Sequence, residues 1–560
     1  MQEVEWFAAR RPQIAHATTA AERRRLVSDL MDSGDGLAAD YEVAKEAAET
    51  AARIVRENEQ YPLLSRGDVN IYALFVERAA RLVNARGIVS LLVPSGIASD
   101  KHYAEFFQLR IESQTLMLFL DFFNKKYDGS LFFPDVYYRF KFSVFAFGGP
   151  GLSFPAVSYG CFLRDLKELE SATRVFQLSA AEIRTVNPNT RTAPIFRTAR
   201  DAEITTALYR KLSVLVDRQH EPFSNVWPVD YVGMFHMTND SHLFHTRKEL
   251  EAIGAYRVAD NRLRKGPATY LPLYEGKMVQ AFDHRAASVT VDPGRRHRPG
   301  QPQPATSDQH SDPAWQPEPQ FWVVAAEVSW PKGLGWALAL KDVTSTTNTR
   351  TVIASMVPVC AAGNTLPLIW PRLPAAPRPD ADDAIVAEWR SQCLDAMVSY
   401  REWAPLLLAN LNSLPLDYVA RQKVQGQHLN WYIVEQLPVV SEIQFRDLIG
   451  QRSVGDMVRH EVARLTYVAH DMAPFARDQG YNGPPCPWDE GDRLRRRARL
   501  DALFFLLYGL DSSEVDYVLD QFPIVRRQEE AAFGRYRSRD LILGYLAAFR
   551  ANDPDAVIAA

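Results

Sequence analysis

Residues 66–149 decide the fold: RGDVNIYALFVERAARLV over 66–83, ARGIVSLLVPSGIASD over 85–100, LMLFLDFFNKKYDGSLFFPDV over 116–136 and YRFKFSVFAFGG over 138–149. In the first piece Ile71, Leu74, Phe75, Ala79 and Leu82 recur at spacings of three and four, which predicts an amphipathic helix. Asp68 or Asn70 stands where a helix N-cap belongs, and Gly87 is a stop signal. Ile88 to Val93 is a short apolar run closed by Pro94, the pattern of a strand buried on both faces. A second helix from His102 to about Glu112, a second strand from Leu116 to Asp121, and two further strands facing each other across the loop at 124–129 complete the order. Helix, strand, helix, strand, hairpin is the second half of a doubly wound, Rossmann-like α/β domain that ends in an antiparallel hairpin.

Outward from this stretch, the 560 residues suffice for three or four domains. Residues 1–150 read as this half-domain with a helical insertion, since 10–31 and 41–57 have helical spacing and precede Asn70. Residues 151–286 read as a connecting region. Residues 287–320 are rich in Pro, Gln, Ser and Asp, hold the basic cluster RRHRPG at 295–300, and read as a flexible linker. Residues 321–445 open with strand-like WVVAAEV and GWALALKDVT and form a separate α/β unit. Residues 446–560 read as helical. A net charge of −4 gives no global basic signal, so a nucleic-acid surface has to be a local patch. Four cysteines with no CxxC spacing argue against a zinc ribbon or a disulfide framework and fit a reducing, cytoplasmic setting. No run of 18 apolar residues and no signal peptide points to a membrane. His236, Asp240, Asp283 and His284 lack the paired-histidine spacing of a helical metal site, so no metal is expected.

The order and wording of these pieces resemble the C-terminal half of the catalytic domain of adenine-N6 DNA methyltransferases, in particular the large enzymes of fused restriction-modification (type IIG-like) and related phage-defence systems. The resemblance rests on GDVNIYALFVERAARLV at 67–83, GIVSLLVPSGI at 87–97 and LFFPDVYYRFKF at 131–142, and extends to KMVQAFDHR at 277–285 and the QLP phrase at 436–438. It implies a double-stranded DNA partner, S-adenosylmethionine as cofactor of the complete enzyme, and residues 321–445 as the target-recognition domain. It also implies that Phe133, with Phe132 as the alternative, stacks on the target adenine after it has left the duplex, and that Asn70 lies near the active-site loop. The family's glycine-rich cofactor loop and its Asn-Pro-Pro-aromatic loop have no counterpart here; NPNT at 187–190 and GPP at 483–485 fit neither in type nor in position. The expectation is a truncated or split chain that binds no cofactor and is inactive alone, with a separate chain as one source of the missing half. The alternative is a non-enzymatic DNA-specificity subunit. No carboxylate and lysine pattern of a metal-dependent nuclease accompanies Pro134-Asp135.

Candidate DNA contacts follow from residue chemistry. Arg139 and Lys141 alternate with aromatic residues at the expected carboxyl edge of the sheet, where cations can hold phosphates. Lys277 and Arg285 lie in the KMVQAFDHR phrase. Arg350, Arg421, Lys423 and His428 have the bidentate-capable or cationic chemistry that base edges and phosphates require.

Overall fold

The structure is a computed structural model that describes residues 3–17, 20–67, 69–219, 224–290, 300–424 and 426–559. Asp68 and the basic residues at 295–298 lie outside the described residues. The chain is mixed α/β and divides into two compact units: Met1–Glu203 with Pro293–Pro299, and Ile204–Asp292 with Gly300–Ala560.

The first unit is built on a five-stranded sheet of β1 (Ile88–Pro94), β2 (Leu116–Phe123), β3 (Lys141–Gly148), β4 (Ala156–Leu163) and β5 (Phe176–Ser179), in the order β1-β3-β2-β4-β5. Strand β3 pairs antiparallel with both β1 and β2, while β2 pairs parallel with β4, so β1, β2 and β4 run the same way. The expected hairpin of two extra strands is one strand, β3, joined to β2 by a long loop over 124–140 and inserted between β2 and β1. One face of the sheet packs Phe119, Phe145, Phe147 and Tyr159 against Phe106 and Phe107 of the Ala104–Glu112 helix, with ring centroids 5.3 to 6.5 Å apart. The other face carries Leu120, Phe122 and Leu163, with Phe132 and Phe142 packed over them. Where β3 ends, Gly149 passes so close to the 84–85 turn that a Cβ would lie 2.0 Å from the Asn84 carbonyl oxygen; its N–H donates to the Gly87 carbonyl at 2.9 Å.

Two sequence expectations fail here, for one reason. The Ile71–Leu82 helix forms as expected, but it buries Ala73, Val76 and Glu77, and its apolar stripe residues Ile71, Phe75 and Leu82 are exposed. Strand β1 is the terminal strand of the sheet and leaves Ile88 and Leu92 exposed, so it is not buried on both faces. The apolar pattern is present, but nothing in the described residues covers it.

The second unit joins segments that the sequence separates. Trp322–Val324 pairs with Ala268–Tyr274, and Leu368–Pro371 pairs with Val229–Val232, so residues before and after 320 share the same sheets. No domain boundary falls at 320. The Asp383–Leu411 helix packs on the Ala354–Pro358 and Leu368–Pro371 strands, and the C-terminal helices pack in turn on it and on the Leu414–Arg421 helix, so 446–560 belongs to the same unit. The described part of 287–320 is not a bare linker. Ala287–Thr290 pairs antiparallel with Gln301–Pro304, and Ser307–Ser311 is a short helix with a Thr306–Gln309 capping box.

Arg285 holds this segment down and is fully buried. Its guanidinium donates to the carbonyls of Asp312, Trp315, His310 and Val468 at 2.8, 2.9, 3.0 and 3.2 Å. On either side, His284 meets Asp471 and His310 meets Asp283, each at 3.1 Å. Arg285 is therefore a structural clamp and not a DNA contact: its donors are committed inside the protein. Arg285→Leu leaves several buried carbonyls without a donor, at about 1–3 kcal/mol each before relaxation. The expected loss in chemical denaturation exceeds about 3 kcal/mol; a loss within about 0.5 kcal/mol, the range of an ordinary surface change, contradicts the clamp.

Candidate functional site

Because β1, β2 and β4 run parallel, their carboxyl ends come out on one edge of the sheet, the position where open α/β sheets hold ligands. Ser95 follows β1, Asn124 follows β2 and Arg164 follows β4. The head of the Ile71–Leu82 helix reaches the same edge: Tyr72 Oη lies 3.1 Å from where a Cβ on Gly96 would stand. Asn70 occupies the N-cap of that helix, and its carbonyl accepts from Ala73 N at 3.1 Å.

Asp121 organises the edge from within. It is buried, it accepts a short hydrogen bond from Ser95 Oγ, and its second oxygen faces Lys141 Nζ at 3.3 Å and Phe162 N at 3.4 Å. The β2–β4 register shifts at this point, and Phe162 adopts a φ of +58°. A left-handed backbone is unfavourable for a bulky residue and persists only where the surroundings hold it; here the carboxylate bond to its N–H does so. The Phe162 ring lies beside Lys141 Nζ at 4.9 Å and tilts against Phe123 at 5.6 Å between centroids.

Asn124 shapes the long loop. Its carbonyl accepts from Phe132 N at 2.9 Å and its side-chain oxygen from Phe133 N at 2.8 Å. Its side-chain nitrogen donates to the carbonyls of Phe133 at 3.0 Å and Val136 at 2.8 Å, and its own N–H donates to Phe140 O at 3.0 Å. One buried side chain thus fixes both ends of the Phe132–Val136 turn. Phe132 points into the cluster with Phe122 and Phe142, under Lys126 Nζ at 4.6 Å. Phe133 is 39% exposed, its ring set edge-on to Phe142 at 4.9 Å.

Around this turn lie exposed Tyr137, Tyr138 and Phe140. Arg139 Nε donates to Tyr138 Oη at 3.0 Å, and Arg164 sits over the Phe123 ring at 4.4 Å. Aromatic faces interleaved with cations are a surface for bases and phosphates. Sequence reasoning named Phe133, Arg139 and Lys141 here but missed Asp121, Asn124, Phe162 and Arg164. A signal for Asp121 existed: it is the one charged residue inside the run LMLFLDFF.

The cations named in the second unit are mostly committed to the protein. Arg421 donates to the carbonyls of Thr346, Asn348 and Thr349 at 3.2, 2.9 and 2.9 Å, pairs with Asp417 at 3.4 Å and covers the Phe522 ring at 4.3 Å. Lys423 Nζ lies over Tyr209 at 4.7 Å, and burial holds its amine well below the ordinary lysine range. Both are structural, which corrects their assignment as DNA contacts: guanidinium and ammonium donors turned inward do not reach a phosphate. Lys277 pairs with Glu275 at 2.8 Å and donates to Gly300 O at 2.9 Å. Arg350 pairs with Asp501 at 3.2 Å. His428 is exposed, with Nδ1 at 2.5 Å from Asp342. Among the described residues no group of three or more His, Cys, Asp or Glu side chains is placed to hold a metal ion, and no helix is long and apolar enough to cross a membrane.

The sequence matches no protein-family model and no curated protein. Among solved structures the chain is similar to the type IIL restriction-modification enzyme MmeI in complex with DNA, at 11% identity and a TM-score of 0.37 over 84% of this chain and 55% of that one. It is similar to the type IIG restriction endonuclease BpuSI at 10% identity and a TM-score of 0.25, over 79% of this chain and 50% of that one. Similarity to the DrdV–DNA complex covers 72% of this chain and 40% of that one, at 10% identity and a TM-score of 0.30. The chain spans about half the length of these proteins.

The Asn124 geometry is directly testable. Asn124→Ala removes three side-chain hydrogen bonds to the turn, each worth about 1 kcal/mol. Amide hydrogen exchange at 132–136 is expected to speed up by about tenfold or more, with the β2 and β3 amides unchanged. Unchanged exchange across the turn overturns the role given to Asn124.

Proposed function

We propose that this chain is the adenine-stacking and DNA-recognising part of a site-specific adenine-N6 DNA methyltransferase of a restriction-modification or phage-defence system. The observation that carries the reading is the Asn124-fixed turn, which presents the exposed Phe133 ring at the carboxyl edge of three parallel strands, on a loop whose Phe132 and Tyr138 rings meet Lys126 and Arg139. In this reading Phe133 offers one stacking face to an adenine outside the duplex, while Phe132 supports it from the core. Arg139 and Arg164 lie where backbone phosphates flank that base, and Lys141 is oriented by Asp121.

The open side of the sheet supports the second part of the reading, that the domain continues in polypeptide beyond these residues. Gly87 O accepts from Gly149 N and Ser95 N donates to Lys141 O, so the odd-numbered residues of β1 bond to β3. The N–H and C=O groups of Ile88, Ser90 and Leu92 therefore point away from the sheet. A terminal strand with free backbone groups and exposed apolar side chains is a template for another strand, and the exposed Ile71, Phe75 and Leu82 extend the uncovered apolar area onto the adjacent helix.

In this reading the described residues at this edge do not fit S-adenosylmethionine on their own. After β1 the chain turns at once into a four-residue helix, Gly96–Ser99, with Ser95 Oγ tied to Asp121, and no glycine-rich loop follows a strand at this edge. No step is derived through the cofactor, and its binding falls to the part outside this chain, whether continuous with it or a separate subunit. Calorimetric titration of the 560-residue chain with S-adenosylmethionine is expected to show no micromolar binding, and such binding would remove the need for a second part.

Stacking is testable on the chain as it stands. A duplex carrying 2-aminopurine opposite an abasic site presents a base that unstacks readily. Wild type is expected to bind it more tightly than the matched duplex, and Phe133→Ala to lose about 1–3 kcal/mol of that preference. Phe133→Leu recovers part of it, because shape survives without the π-face. If Phe132→Ala abolishes the preference with the fold intact and Phe133→Ala does not, the stacking residue is Phe132.

A further inference from the structure

One cavity of the second unit is not used by this reading. It has a volume of about 340 Å³ and lies between the Glu490–Tyr508 helix, the Pro523–Phe533 helix, the start of the Arg537–Arg550 helix and the 349–350 and 412–414 turns. Its polar lining includes Arg350, Arg497, Asp501, Glu529 and Ser538.

One buried donor of this cavity has no hydrogen-bond partner. Asp501 accepts from Leu414 N at 2.7 Å and from Arg350 Nη2 at 3.2 Å. Glu529 accepts from Ser538 N at 2.7 Å and from Ser538 Oγ. Both carboxylates are thus engaged, though each oxygen keeps a second lone pair. Arg350 Nη1 is buried without a hydrogen-bond partner, and Arg497 lines the same cavity. A guanidinium does not shed its proton to relieve this, and buried donors without acceptors call for a water or an ion. Burial and, after it, the neighbouring Arg350 charge act against the charged form of Arg497, while Glu490, Asp501 and Glu529 act for it; an anion held by the two guanidiniums adds to the second group. The planar donors of two arginines lining one cavity match the oxygens of a phosphoryl group, which can accept from more than one donor.

We infer that this cavity binds a phosphoryl oxyanion through Arg497 and Arg350. The group is either a free phosphate or a phosphate of a DNA backbone, and the inference is independent of the methyltransferase reading. Inorganic phosphate is the first probe, added to the full chain in a phosphate-free buffer while thermal unfolding is followed. Wild type is expected to melt at a higher temperature as phosphate rises, by mass action on the native state. Arg497→Met is expected to need at least about tenfold more phosphate for the same shift, the loss of one charge-assisted hydrogen bond. Without phosphate the variant loses the attraction of Glu490, Asp501 and Glu529, so the phosphate-dependent shift, and not the starting melting temperature, is the readout. Arg497→Lys, which keeps the charge, serves if the methionine variant fails to fold, and is expected to retain part of the phosphate shift.

The second arm measures duplex DNA binding against salt concentration. If the cavity takes a backbone phosphate, Arg497→Met lowers the slope of log K against log salt by about one. If it takes a free phosphate, that slope is unchanged while the phosphate-dependent melting shift is lost. Equal phosphate shifts in wild type and variant, together with equal salt slopes, would show a water-filled structural cavity and overturn the inference.

Discussion

Strand β3 is the constraint on which the first unit depends. It runs antiparallel between β1 and β2 and pairs with both along their length. Parallel neighbours need a crossover connection, but β3 reaches its slot from β2 through a loop and so leaves 124–140 free to project beyond the sheet. Asn124 and Asp121, at the end of β2, then tie the loop and the neighbouring strand ends to the sheet. The edge combines a hydrogen-bonded base with an exposed aromatic rim of Phe133, Tyr137, Tyr138 and Phe140.

The distribution of cations follows a different logic in the second unit. Arg285, Arg421 and Arg493 each turn inward and donate to backbone carbonyls of segments distant in sequence. A buried guanidinium is costly to desolvate, and these are tolerable because their donors meet fixed carbonyl oxygens in the planar fork that Arg provides. The same need explains the joining of segments across residue 320. The Arg285 clamp draws the 310–315 turn and Val468 together, so a stretch with linker composition becomes part of the core. Arg497 shares the arginine-rich helix GDRLRRRARL with Arg493 but lines a cavity.

Much of the first unit was legible in the sequence because its signals are local. The helix at Ile71–Leu82, the strand at Ile88–Pro94 and the helix at Ala104–Glu112 follow from apolar period and from Gly and Pro punctuation. The slot of β3 was not legible, since pairing between strands depends on contacts remote in sequence. Phe132 and Phe133 are chemically identical neighbours, so the sequence left both open. The Asn124 bonds turn one ring into the core and leave the other exposed. The unit-two cations were illegible for the same reason: the carbonyls that hold Arg421 come from residues 72 to 75 positions away.

By itself, then, the sequence determined which segments are helix or strand in the first unit and where aromatic and cationic residues concentrate, because these are set by period and composition over a few turns of chain. The tertiary structure decided which apolar stripes are covered and which, like Ile71, Phe75 and Leu82, are left bare. It decided too which cations face solvent, since a side chain's partners are chosen by three-dimensional packing and not by its neighbours in the chain. The reason is physical: apolar period specifies that a face seeks burial, but only the assembled elements determine what is there to bury it.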